Sequence, residues 1–457
     1  MSLEPPVHVN EQVKVEIAGC THRGEGVGRV GGLAVFVPHT APGDQVSCII
    51  TEVRKNFARA RLKEVIHPAR GRTSPACKIF DGCGGCHLQH LEYQRQLEIK
   101  TEQVRDALNR LGKLDDYTLH PIMGMKQPWH YRNKVYLHAG FVEGRLSLGY
   151  YEENSNRLVR VPDCALLPED MICIWRAVEE KLRDAGITPY DVTTRKGLLR
   201  GVVIRKGFAT GEAMVVFVVC RREFSGAAMA GELLSEFPSL VSVVQNINPP
   251  RSSNPLGEEN VLLAGKEFIQ ERVGHFLFRI SATSFFQVNP VQAEALYRQT
   301  VSFAGLTGRE TVLDVYCGTG AIALFLAKKA RRVYGIENIA SAVADARENA
   351  ILNGVDNVEF IAGAAEQVLP RLYQEGIRPE VVLLDPPRQG CEQAALDAVA
   401  GMKPERIVYV SCNPATLARD LRFLAERGFR TTEVQPVDMF PHTSHVECVV
   451  LMCRSGK

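Results

Sequence analysis

Four short stretches in the last third of this 457-residue chain carry residue types that do chemistry. Asp314-Val-Tyr-Cys-Gly-Thr-Gly320 sets an acid and two glycines between an apolar strand and a helix. Asp385-Pro-Pro-Arg388 places a carboxylate on a loop that prolines stiffen and strip of amide donors. Ser411-Cys-Asn-Pro414 offers a thiol at the end of a strand. His445-Val-Glu-Cys448 puts a carboxylate at the mouth of an apolar strand, where burial is costly unless the group is partnered or functional. Cys412 is the candidate nucleophile and Glu447 the candidate base. With an adenosyl cofactor, such a set suits methylation at carbon 5 of a pyrimidine through a covalent adduct.

The glycine loop is ambiguous alone. Gly318 and Gly320 allow a tight turn and close approach of a ligand at the carboxyl end of the strand Thr311–Val315. Glu337 ends the next strand, where a carboxylate can accept from ribose hydroxyls. Gly318-Thr-Gly320 with Ala323 also fits a dinucleotide fingerprint, so an NAD-dependent oxidoreductase is a competing reading. Asp314 before the glycines and Asp385 after a later strand favour S-adenosylmethionine. Cys412 precedes Asn413-Pro414, which starts a helix, and the field of that helix end is expected to favour its thiolate. The bland alternative is a small buried hydrophobe.

A second cluster lies upstream, in Cys77-Lys-Ile-Phe-Asp-Gly-Cys-Gly-Gly-Cys86. Three close cysteines need a fourth ligand from elsewhere. Thiolates suit both zinc and iron–sulfur centres, and spacing does not decide between them. The chain has 13 cysteines and no signal-peptide pattern at its start, which argues against a disulfide framework.

The elements that must position these residues fall into three segments. The composition, 45% hydrophobic and 23% charged with a net charge of +2, is that of an ordinary globular protein. No apolar run is long enough to span a membrane, and a cytoplasmic location and a monomer are expected. Residues 7–66 read as short strands forming a small β-barrel, with a basic stripe from Arg54 to Arg72. Residues 67–280 read as an α+β domain with an antiparallel sheet, a helix over Leu91–Leu111 and another over Met171–Ala185. Tyr131, Arg132 and Tyr151 there are candidates for stacking on bases or contacting phosphate. In residues 281–457 helices alternate with strands of near-continuous apolar character, the pattern of a doubly wound α/β, Rossmann-like sheet.

Phe285-Phe-Gln-Val-Asn289 and the four stretches above together resemble the RNA 5-methyluridine methyltransferases, and Gly24–Pro38 is similar to the OB-like TRAM barrel of the branch acting on 23S rRNA. The resemblance implies S-adenosylmethionine as cofactor, held by Gln287, Tyr316, the Gly318–Gly320 loop, Glu337 and Asp385. It implies Cys412 attack on carbon 6 of uracil, proton removal from carbon 5 by Glu447, and a [4Fe-4S] cluster on Cys77, Cys83, Cys86 and Cys164, with zinc as the alternative. Ala321 stands where some relatives carry Asn, so no side-chain cofactor contact is expected there. The implied partner is RNA, 23S rRNA first and tRNA as alternative, with no membrane. An RNA-binding protein with an inert catalytic domain is disfavoured by the intact Cys412 and Glu447.

Overall fold

A computed structural model describes residues 5–153, 155–161, 163–250, 252 and 254–456. Strands β1 (Gln12–Cys20), β2 (Gly26–Val30), β3 (Leu33–Val37), β4 (Gln45–Val53) and β5 (Phe57–His67) close into a barrel in the order β1-β2-β3-β5-β4. Alternation along each strand turns Val15, Ile17, Val35, Val37 and Ile50 inward to fill it. Gly28 lets β1 and β2 cross closely, since a Cβ there would lie 2.3 Å from the Glu16 carbonyl oxygen. Part of the basic stripe is internally neutralised: Arg54 pairs with Glu52, Arg59 with Glu25 and Arg72 with Asp44. Lys55, Arg61 and Arg70 stay exposed.

The central sheet has the order β13-β12-β11-β10-β7-β8-β9. Its strands are β7 (Lys134–Val142), β8 (Arg145–Tyr151), β9 (Leu158–Arg160), β10 (Leu199–Lys206), β11 (Ala213–Val219), β12 (Leu240–Ile247) and β13 (Glu259–Gly265). Helices α2 (Glu169–Asp184) and α3 (Ala227–Glu236) bury one face. The sheet is antiparallel except at β11–β12, which run parallel because α3 carries the chain back between them.

The C-terminal sheet has the order β18-β17-β16-β19-β20-β22-β21-β6. Strands β16 (Thr311–Val315), β17 (Arg332–Glu337), β18 (Val358–Ala362), β19 (Val381–Leu384) and β20 (Arg406–Ser411) are parallel. Strand β22 (Glu447–Arg454) runs antiparallel between β20 and β21 (Phe429–Val437). Helices α4 (Pro290–Ala304), α5 (Ala321–Ala327), α6 (Ala340–Leu352), α7 (Ala365–Gln374), α8 (Gln393–Met402) and α9 (Pro414–Ala425) cover both faces, with one core on each. Three elements from earlier in the chain join this layer. Helix α1 (Tyr93–Asp106) and the π-turn after it insert Val104 and Leu108 into its core, and β6 (Thr118–Leu119) extends its edge. The hairpin β14 (Phe268–Val273) and β15 (Phe276–Ser281) packs into the other core through Ile269 and Phe278. Among the described residues no helix is long and apolar enough to cross a membrane.

Candidate active site

The strand order reverses between β16 and β19, and a crevice opens beyond the carboxyl ends of these strands, as doubly wound sheets require. It is a cleft of about 860 Å³ whose walls include Gln287, Tyr316, Gly318, Glu337, Asp385, Cys412 and Glu447. Gly320 belongs to the same turn. It precedes α5 with φ +80°, and a Cβ there would come within 2.7 Å of the Phe360 ring. Glu337 orders the turn from the neighbouring strand, accepting from the Gly318 amide (3.1 Å) and the Ile339 amide (2.8 Å). Tyr316 takes a left-handed φ of 71°, unusual for a non-glycine residue, at the sharp exit from β16. Phe285 projects at the mouth and is 68% exposed.

Cross-strand register brings Cys412 and Glu447 together. Ser411 pairs with Cys448 in the last rung of β20–β22. One residue further on each strand, Cys412 and Glu447 fall opposite each other on the face that lines the cleft. Residues 35 apart in sequence thereby share one site. Glu447 is buried, and burial together with Asp385 pushes its carboxyl up to about 8, with Arg388 opposing. Asp385 is raised to about 7 by burial. The expectation of a favoured Cys412 thiolate fails here. Burial and the adjacent Glu447 push the thiol up to about 11, against the opposing pull of Arg388. Cys412 also stands outside the first turn of α9, where Asn413 caps the Ala415 amide and Pro414 begins the helix. Desolvation outweighs the helix-end field.

Asp314, also on the cleft wall, is fully buried and raised well above its ordinary range by burial and by Asp385 and Glu337. The Ala323 amide lies near, but neither carboxylate oxygen completes a hydrogen bond. A cleft holding Asp314, Glu337, Asp385 and Glu447 with Arg388 as their counter-charge suits a ligand bearing positive charge.

The wall containing Phe440, His445 and Glu447 is fastened from the N-terminal side. Lys100 of α1, fully buried, meets Asp438 at 2.5 Å and donates to the Phe440 carbonyl at 3.0 Å. Tyr93 donates to Asp438 (2.8 Å), and Gln96 accepts from the His442 amide (3.0 Å). Trp129 stacks on His442 at 3.6 Å. Removing either partner of the Lys100–Asp438 pair would strand a buried charge, at a cost of roughly 3–5 kcal/mol. The sequence reading missed this clamp. Its signal was Tyr93, Gln96 and Lys100 recurring at helical spacing on the same face as the apolar Leu97 and Val104.

The other predicted residues lie apart from the cleft. Cys77, Cys83, Cys86 and Cys164 line one small cavity with Tyr150 and Arg132. Among the described residues no group of three or more His, Cys, Asp or Glu side chains is gathered around a point as a single metal ion requires. The cysteines share a cavity wall without closing on one centre. The segment after Cys86 reaches the catalytic wall: the His87 and Leu88 amides both donate to the His442 carbonyl, at 2.9 and 3.0 Å. Of the three proposed RNA-contacting residues, Tyr131 is buried with its hydroxyl on the Pro441 carbonyl, and Arg132 faces the cysteine cavity. Both are tied to the interior and neither can stack on a base. Tyr151 is on the surface.

Comparison with known proteins agrees with this geometry. A family model described as tRNA (Uracil-5-)-methyltransferase matches residues 258–455, and the TRAM domain model matches residues 6–63. An uncharacterized RNA methyltransferase of Bacillus cereus is 45% identical over 456 residues, covering 100% of this chain and 99% of the relative. Another from Caldanaerobacter subterraneus is 45% identical over 455 residues, covering 98% and 99%. The crystal structure of Pyrococcus abyssi tRNA (uracil-54, C5)-methyltransferase in complex with S-adenosyl-L-homocysteine, 27% identical, is similar over 96% of this chain and 100% of that one, with a TM-score of 0.76. The dinucleotide alternative for the glycine loop is thereby left without support, and the chain belongs to the TRAM-containing RNA uracil-C5 methyltransferases.

Proposed function

We propose that the enzyme methylates carbon 5 of uracil in 23S rRNA, with S-adenosylmethionine as donor, Cys412 as nucleophile and Glu447 as base. The observation that carries the reading is the cross-strand placement of Cys412 opposite Glu447 on the cleft wall. Cys412 gives up its proton to solvent, its thiolate sulfur bonds to carbon 6, and the resulting enolate makes carbon 5 nucleophilic. When bound, the cofactor supplies an electrophilic methyl group, which carbon 5 accepts. Glu447, in its carboxylate form, then takes the carbon 5 proton, and that bond's electron pair re-forms the carbon 5–carbon 6 double bond as the carbon 6–sulfur bond breaks to release Cys412 as thiolate. The cofactor fits the residues present: the unsatisfied Asp314 carboxylate and its acidic neighbours suit a cationic methionine end. Gln287, Tyr316, the Gly318–Gly320 turn, Glu337 and Asp385 would hold it.

The choice of 23S rRNA rests on the barrel together with the cysteine cavity. A tRNA substrate is the second reading, favoured by the whole-chain likeness to the Pyrococcus abyssi tRNA enzyme. Incubation with labelled S-adenosylmethionine and separated rRNA and tRNA decides between them. Label in 23S rRNA is expected, and label confined to tRNA would overturn the choice.

The four cysteines would hold a [4Fe-4S] cluster. Four thiolates on one cavity wall suit such a cluster, with zinc as the alternative. Arg132, half-buried at that cavity with its Nε buried and unpaired, matches the negative charge of a thiolate-bound centre. Iron and sulfide in protein purified without oxygen are the expected finding, and stoichiometric zinc without iron would refute the assignment.

A further inference from the structure

The second face of the central sheet is buried at one end and only partly buried at the other, where Tyr136 packs against the C-terminal core, His138 is half-buried and Tyr151 is exposed. At the β10–β12 end, Val203, Met214, Val216 and Val218 join the C-terminal core. At the β7–β8 end the same face carries Tyr136, His138 and Tyr151. The Tyr136 and His138 rings lie 4.9 Å apart, and His138 and Tyr151 stack at 4.0 Å with 24° between their planes. His138 is paired with Gly201 on one side and Gly149 on the other, so no side chain separates the rings from the backbone. At Gly201 a Cβ would fall 2.9 Å from the Tyr136 ring. Tyr151 is 36% exposed.

This face continues the cleft. Asn133 donates to the carbonyl of Gln287, which lines the cleft, at 3.1 Å. Lys134, Tyr136 and His138 then follow along one side of β7, each roughly 7 Å beyond the last. Both borders are basic. Arg200 is held by the carbonyls of Asn248, Pro249 and Ser252 and lies close enough for its charge to act on the Tyr136 and Tyr151 hydroxyls. At the other border, burial and Arg205 pull the Lys134 ammonium down to about 7, a position that an anion at its tip would relieve.

We propose that this half-face, with His138 and the exposed Tyr151 as its rings, Tyr136 behind them and Lys134 and Arg200 at its borders, stacks unpaired bases of the substrate RNA beside the uridine in the cleft. The proposal rests on the RNA-methylating function. Flat aromatic surface flanked by basic side chains matches the π-face and phosphate of a single-stranded nucleotide, whereas a protein helix would need an aliphatic groove. A uridine flipped into the cleft must leave its neighbours unstacked, and rings placed along the exit path compensate them.

The test uses the full-length protein and a short single-stranded oligoribonucleotide carrying one uridine, with 2-aminopurine at the flanking positions. Tyr151→Ala is expected to weaken binding roughly tenfold, with a larger loss when combined with His138→Ala. Tyr151→Phe should bind like the parent. The parent should quench 2-aminopurine on binding and Tyr151→Ala should not. S-adenosylmethionine affinity should be equal in all of them, which separates stacking from a general loss of fold. Equal RNA affinity in parent and both alanine variants, or a parent that does not bind single-stranded RNA, would overturn the proposal. If the losses occur but the parent transfers no methyl group to RNA, the stacking site stands and the methylation chemistry falls.

Discussion

Cys412→Ala is expected to abolish methyl transfer, with turnover falling by at least about 10⁴-fold, the scale seen when a nucleophile is removed from a covalent mechanism. Cofactor affinity should stay within about twofold, because the side chain removed is small and Asp314, Glu337 and the glycine turn are left in place. Single-turnover labelling with S-adenosylmethionine and RNA measures the first quantity, and equilibrium binding of the cofactor the second. The parent enzyme carries a pH signature of the same residue. Its thiol sits at about 11, so the thiolate fraction grows about tenfold per pH unit through the neutral range. Adduct formation should therefore accelerate from pH 7 to pH 9. An alanine variant retaining a tenth of the activity would remove Cys412 from the role of nucleophile.

Glu447→Gln is expected to stop the proposed reaction one step later. The glutamine keeps the shape of the side chain but cannot take the carbon 5 proton, so release of Cys412 is blocked. A methylated protein–RNA adduct that survives denaturation should accumulate, with turnover down by about 10²–10⁴-fold. Denaturing electrophoresis with labelled RNA reads it out, and a variant that turns over without any adduct would assign the base elsewhere. The same substitution changes stability with a defined sign. Glu447 is raised to about 8 when folded, from an ordinary value of 4.5. Between these values the folded chain holds a proton that the unfolded chain has lost, so the contribution of Glu447 to stability is present below pH 4.5 and is lost as pH rises toward 8. In the empty protein the melting temperature of Glu447→Gln should exceed that of the parent most at pH 8–9, with the difference closing toward pH 5.

Much of this was legible in the chain because the chemistry sits on short, contiguous motifs at strand ends. A βα turn with Gly318 and Gly320 and an acid at position 337 announces a crevice in a parallel sheet by spacing alone. What spacing could not supply was proximity across the sheet. Cys412 and Glu447 meet because β22 turns back antiparallel beside β20, a pairing with no local signal. The thiol's ionisation was also misjudged, since the sequence shows a helix start next to Cys412 but not the burial that overrides it. The clamp on the catalytic wall was out of reach for a related reason. Lys100 reads as one charge on an amphipathic helix until the fold brings Asp438 to it, 338 residues later. The parallel β11–β12 pair escaped because its crossover helix, α3, is short and weakly patterned.

The position of β22 has a consequence for how the enzyme is made. In the sheet it lies between β20 and β21, but a ribosome delivers it after both. Until β22 emerges, neither neighbour has the strand that its facing edge pairs with in the folded sheet. The strand that joins them is also the one that brings Glu447 to Cys412. Closure of the sheet and the meeting of the proposed nucleophile and base are thus one event.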